Sequence, residues 1–119
     1  MKNSLSKILK SRKTSFFMEA HNGISAKLVS ENKFDGIWAS GLTISASMGL
    51  RDVNEMSWSQ VCDILNYITL SSDLPVLLDA DTGYGSFNNT IHLVKHLNRI
   101  NVQGICIEDK IFPKKNSFY

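Results

Sequence analysis

Three carboxylates stand where short apolar runs give way to polar turns: Asp79 and Asp81 follow Val76–Leu78, and Glu108 follows Gly104–Ile107. In α/β barrels the carboxyl ends of the strands converge on one face, so side chains at those exits can meet a single ligand. Carboxylates gathered there repel one another and call for a cation, and hard Mg²⁺, which accepts oxygen ligands and keeps its own water, suits them. The same side chains would equally serve to cap the turns that follow, so spacing leaves a metal site and plain turn-capping both open. Gly83 and Gly85 form a lone Gly-x-Gly, which lets the backbone approach a ligand closely. His92 and His96 share a helix face at i and i+4, but no Glu follows His92 and no third ligand is evident, which argues against zinc. His21 either lines the site or makes a hydrogen bond at a helix start. Trp38 is core or pocket wall, and Trp58 is most simply core.

The elements that must position these residues alternate short apolar runs with longer amphipathic ones, the pattern of βα units around a parallel sheet. A leading helix is expected over about Leu5 to Ser11, with Leu5, Ile8 and Leu9 on one docking face. Strands follow at Ser15–Met18, Gly36–Trp38, Val76–Leu78 and Gly104–Ile107. Asn22 can cap a helix over about Gly23 to Glu31, with Ile24, Leu28 and Val29 turned inward. Gly41 to Asn54 lacks a clear period and reads as a long functional loop, with one short helical turn at Ile44–Met48 as the alternative. Ser57 and Gln60 form a capping box ahead of Trp58, Val61, Ile64, Leu65 and Ile68 at helical spacing. Asn88 or Asn89 is expected to cap a further helix that runs to about Asn98.

Composition narrows the function classes. The 119 residues are 43% hydrophobic and 20% charged, the balance of one ordinary folded domain rather than a disordered tail. With 13 Lys and Arg against 11 Asp and Glu there is no basic block to grip nucleic acid. The longest uncharged stretch, Gly36 to Leu50, is too polar and too short to cross a bilayer. Lysines and Arg12 interrupt the start, leaving no signal-peptide core, and a cytoplasmic location is expected. Cys62 and Cys106, without a Cys-x-x-Cys or a Cys/His cluster, read as reduced buried thiols.

The strings MEAHNGISAKLV, GIWASGLTISASMGLRDVNE, LLDADTGYG and IEDKIFPKKNS resemble the phosphoenolpyruvate mutase family of the isocitrate lyase superfamily, in register and in order. The resemblance implies the N-terminal half of a (β/α)₈ TIM-type barrel with a leading helix. It also implies an oligomeric enzyme that interconverts phosphoenolpyruvate and phosphonopyruvate with Mg²⁺. That reaction is an intramolecular phosphoryl transfer forming a C–P bond, the first step of phosphonate biosynthesis. Asp79 then corresponds to the direct metal ligand, and Asp81, Glu108 and Asp52 to residues that hold the ion mainly through water. Trp38, Ser40, Gly41 and Leu42 correspond to the substrate-pocket segment. Lys114, Asn116 and Ser117, with Asp52, make up the implied catalytic set, the first three on a loop that closes over the substrate.

Lys115 and the Phe118–Tyr119 end depart from the usual pattern beside this loop. The segment also lacks the Cys that isocitrate and methylisocitrate lyases carry there, which disfavours a lyase using that acid. A barrel of this kind needs roughly 250 residues, so the chain is expected to hold about four βα units and to stop within the gating loop. Phosphonopyruvate hydrolase is the competing enzyme, with Asn116 favouring the mutase. An inactive remnant that only associates with other subunits is the competing reading from another class.

Overall fold

The computed structural model describes residues 4–115. Its order of elements is α1 (Leu5–Lys10), β1 (Phe17–Ala20), α2 (Gly23–Glu31), β2 (Gly36–Ala39), α3 (Gly41–Ser47), α4 (Trp58–Ser71), β3 (Val76–Asp79), α5 (Phe87–Arg99) and β4 (Gly104–Cys106). All pairings are parallel, in the order β1-β2-β3-β4. This is the expected α/β architecture with a leading helix.

Each long helix starts where a side chain can satisfy its free N–H groups. Asn22 with Ser25, Ser57 with Gln60, and Ser86 with Asn89 all form reciprocal capping boxes. The last of these corrects the expected start at Asn88 or Asn89: Ser86 is the cap, and Asn89 reaches back to its N–H at 3.1 Å. β1 begins two residues later than expected, at Phe17. The segment read as a loop from Gly41 contains α3, capped by Ser40, whose hydroxyl accepts from the Thr43 N–H. Its small and polar residues gave no apolar stripe, because only Gly41, Ile44 and Ser45 are buried in it.

Ladder register assigns the two faces of the sheet. Ala20, Ile37, Ala39, Val76 and Leu78 turn to the helices and are fully buried with Val29, Leu65, Ile68, Leu93 and Leu97. The opposite face carries Glu19, Trp38, Leu77 and Asp79, all half-buried, and this is the face a closed barrel would turn inward. α1 meets that face at its lower end. The Leu5 N–H donates to Gln103 Oε1 at 2.8 Å, and Leu5 lies so close to Gly104 that any side chain there would overlap it.

Two packing expectations are corrected. In α1 only Leu5 is buried, while Leu9 is exposed. In α2, Ala26 and Val29 turn inward, and Ile24 and Leu28 face out at 71% and 55% exposure. The cause is the close approach of α2 to α4 at Gly23, where a Cβ would sit 2.9 Å from Ser71 Oγ. Small residues must line that contact, which rotates the bulky ones outward. Leu65, fully buried on α4 as its spacing predicted, anchors this layer. Leu65→Ala is expected to lower unfolding free energy by about 2–5 kcal/mol through lost burial and the cavity left behind, measured by urea denaturation of the chain.

Candidate functional site

β3 delivers Asp79 at its end, and the chain then enters a turn with unusual backbone angles. Asp81 (φ 48°) and Tyr84 (φ 61°) occupy the left-handed region, as do Gly83 (φ 96°) and Gly85 (φ 126°). Asp79 Oδ1 accepts the Asp81 N–H at 3.2 Å, which folds the two carboxylates onto neighbouring positions. Thr90 on α5 donates to the Gly83 carbonyl at 2.7 Å and fills the space where a Gly83 side chain would lie. The Gly-x-Gly therefore serves a tight turn held from behind by α5.

Gly41, at the start of α3, faces these acids. A Cβ there would come within 3.4 Å of Asp81 Oδ1 and 3.5 Å of Asp79 Oδ2, so the absent side chain leaves a small cradle in front of both carboxylates. A third acid, Asp52, enters from the α3–α4 connection. There Arg51 donates its N–H and Nε–H to Glu55, at 2.8 and 2.6 Å, and this tightens the bend that carries Asp52 and Asn54.

Lys114 reaches into the cluster from the segment after β4. Its ammonium donates to Asp52 Oδ1 and Oδ2 at 3.1 and 2.9 Å and to Asp81 Oδ1 at 2.7 Å. All three side chains are less than a tenth exposed. Burial works against charge on Lys114, but the hydrogen bonds it donates to Asp81 and Asp52 outweigh it and hold the ammonium above its usual pKa range. Asp81 is pushed up by burial, with Lys114 pulling the other way. Burial, reinforced by Asp81 and Asp79, likewise raises the Tyr84 phenol, so it stands beside the cluster as a neutral group. The Lys114 contacts are charge-assisted, and breaking a buried set of this kind leaves an uncompensated charge that costs about 3–5 kcal/mol.

The structure thus brings Asp52, Asp81 and Lys114 together, with Asp79 beside Asp81. Glu108 joins differently: its N–H donates to the Asp81 carbonyl at 2.6 Å, while its carboxylate pairs with Lys110 Nζ at 3.1 Å. Trp38 lies on the half-buried sheet face, Ser40 caps α3, and Leu42 is 53% exposed. Asn116 and Ser117 lie outside the described residues. His92 and His96 both set their rings edge-on to the Trp58 indole, at centroid distances of 5.2 and 5.7 Å, so they pack rather than converge on a ligand. The ring of His21 turns to Glu19 Oε1 at 2.9 Å, and its backbone N–H donates to Ser25 Oγ at the α2 start.

Cys62 is buried, and desolvation pushes its thiol up to about 11, far from a reactive thiolate at neutral pH. Cys106 is exposed, contrary to expectation, because it sits in register with Asp79 on the uncovered sheet face. Asn54 escaped the sequence reading altogether, although it bonds to both Asp81 and Lys114. Only its place inside the Arg51–Glu55 bend could have flagged it.

Among the described residues, no group of three or more His, Cys, Asp or Glu side chains is spaced to grip a metal by itself. The donor set still fits Mg²⁺, an ion held through one or two carboxylates plus water and substrate oxygens. The oxygens of Asp79 and Asp81 meet at the Gly41 cradle, and the acids of this cluster already accommodate one positive charge, the Lys114 ammonium. No helix of the described residues is long and apolar enough to cross a membrane.

A parallel βα array with functional side chains at its strand exits has the arrangement of the active-site face of barrel enzymes, and comparison with known proteins gives the family. Residues 5–118 match the family model for phosphoenolpyruvate phosphomutase, and the chain belongs to that family. It is 53% identical over 113 residues to a phosphoenolpyruvate phosphomutase of Tetrahymena pyriformis, covering 95% of this chain and 38% of that protein. A crystal structure of phosphoenolpyruvate phosphomutase from Streptomyces platensis subsp. rosaceus superposes with a TM-score of 0.92 at 38% identity, over 97% of this chain and 40% of that one. A phosphonopyruvate hydrolase crystallised with oxalate and Mg²⁺ superposes with a TM-score of 0.78 at 37% identity, over 82% of this chain and 35% of that one. The chain therefore spans well under half the length of these relatives, matching the N-terminal part of the barrel.

Proposed function

We propose that this chain carries the metal and enolate half of a phosphoenolpyruvate mutase, interconverting phosphoenolpyruvate and phosphonopyruvate when the rest of the barrel is present. Residues 1–119 then form one partial barrel domain. The observation that carries the reading is the cradle in which Asp79 and Asp81 adjoin Gly41 while Lys114 enters on Asp52 and Asp81. Asp79 would hold Mg²⁺ directly, with Asp81, Asp52 and Glu108 acting through water. When bound, Mg²⁺ supplies Lewis acidity to the carboxylate and enol oxygens of the pyruvate skeleton.

The chain's own residues do the rest by position and charge. Trp38 walls the pocket from the sheet face, and Ser40, Gly41 and Leu42 grip the substrate carboxylate at the β2 exit. A phosphoryl group moving between oxygen and carbon of one skeleton needs that skeleton held still. Water would capture such a loosely held group. Lys114, Asn116 and Ser117, following Pro113, close over it to exclude water and steady its oxygens.

The mutase is favoured over the hydrolase by the greater identity to the phosphomutase of Tetrahymena pyriformis (53%) than to the hydrolase of Variovorax (37%). The test joins this chain to the remaining portion of the Tetrahymena protein and follows phosphonopyruvate by phosphorus NMR. Mg²⁺-dependent appearance of phosphoenolpyruvate is expected. Release of inorganic phosphate would identify a hydrolase, and no conversion with a folded barrel would overturn both.

A further inference from the structure

Asn54 lies 27 positions before Asp81 and 60 before Lys114, yet its side-chain amide touches both. Its Nδ2 donates to Asp81 Oδ2 at 3.1 Å, and its Oδ1 accepts the Lys114 backbone N–H at 2.6 Å. The Lys114 ammonium returns to Asp81 Oδ1 at 2.7 Å, which closes a ring of three residues drawn from three separate segments. Each polar atom of the amide therefore has a distinct task, and the two carboxylate oxygens of Asp81 are divided between Asn54 and Lys114.

The backbone of Asn54 is left-handed (φ 59°), a conformation that Asn and Gly tolerate and most residues do not. That position in the α3–α4 connection points a short, rigid amide at the acids. A longer Gln would hold two groups so placed less firmly, since it adds a rotatable bond.

We propose that Asn54 is a positioning residue that clamps the Lys114 segment to Asp81, so that the orientation of the cradle acid and the seating of the closing segment are one cooperative element. Asn54 is not itself a catalytic residue, for it acts through Asp81 and Lys114. The inference deepens the proposed function, because it assigns to Asn54 the coupling between the metal-side acid and the segment that shields the phosphoryl group. Release of the clamp frees the Lys114 backbone and leaves one oxygen of a buried carboxylate without its donor, which favours turning of the Asp81 side chain.

Amide hydrogen exchange on the full chain tests this without substrate or metal. In Asn54→Gly, which keeps the left-handed backbone and removes the amide, the Lys114 N–H should exchange at least roughly tenfold faster, while Leu65 and Ile68 on α4 stay unchanged. Asn54→Asp alone should also open the segment, since it sets a second carboxylate against Asp81. Combining Asn54→Asp with Asp81→Asn exchanges donor and acceptor across the contact and keeps the net charge, and it should return Lys114 to within about threefold of the parent rate. Such a rescue cannot arise from a residue that merely shapes its own turn. Unchanged exchange at Lys114 in Asn54→Gly, an equal rise at Leu65 and Ile68, or failure of the paired change to restore protection would each overturn the clamp. Lack of mutase turnover in the completed barrel would sink the activity reading and leave the clamp standing.

Discussion

In the completed barrel, Asp79→Ala is expected to abolish Mg²⁺ binding and to lower turnover by roughly three powers of ten or more, the upper range for loss of one preorganised electrostatic contact. The reasoning starts at the strand. β3 holds Asp79 in register with Cys106 on the face opposite the helices, and in the adjoining turn the Asp81 N–H donates to its Oδ1. Oδ2 faces Gly41, 3.5 Å from the place a Cβ there would take. Asp81 differs, because Lys114 and Asn54 already engage both its oxygens. Asp81→Asn should therefore weaken Mg²⁺ by only about 10–100-fold, in the range for groups that act on a metal indirectly. Calorimetric titration with Mg²⁺, paired with phosphorus NMR turnover, separates the two variants. Unchanged affinity in Asp79→Ala would remove it from the ligand set.

How much of this site the sequence disclosed depends on whether a residue's role is local or assembled. Asp79, Asp81 and Glu108 were visible because a buried strand must end before a charge can be tolerated, so an acid after an apolar run marks an exit. The Ser57–Gln60 capping box was legible because its partners are three residues apart. The Ser86–Asn89 box obeys the same rule but is masked by Asn88 and Asn89, themselves good caps that stand closer to the apolar stripe.

Positions decided by long-range packing were opaque. Ile24 and Leu28 carry helical spacing, but the approach of Gly23 to Ser71 decides which way α2 turns. Lys114 was placed in the site by family resemblance, not by periodicity. Nothing in its neighbourhood announces that its ammonium will bridge Asp52, 62 positions away, and Asp81, 33 positions away. Asn54 is the extreme case, since its contacts exist only once three distant segments meet.

The 119-residue chain by itself should show no conversion of phosphonopyruvate, even though Asp52, Asp79, Asp81 and Lys114 are already assembled. Its four strands leave β1 and β4 as sheet edges among the described residues, and Trp38, Leu77 and Cys106 lie on a face that a closed barrel would cover. Water therefore reaches the side of the site where a loosely held phosphoryl group would sit, and fixed dipoles act weakly in water. A single preorganised electrostatic contact contributes about two to three powers of ten, so weakening several at once in an open site should put turnover below detection. Phosphorus NMR on the chain alone and on the same chain joined to the remaining portion of the Tetrahymena protein makes the comparison at equal site concentration. Activity only in the joined protein is expected. Comparable turnover by both would mean that four strands, alone or paired between two copies, already exclude water well enough to guide the transfer, and the site would then need far less of the barrel than its chemistry suggests.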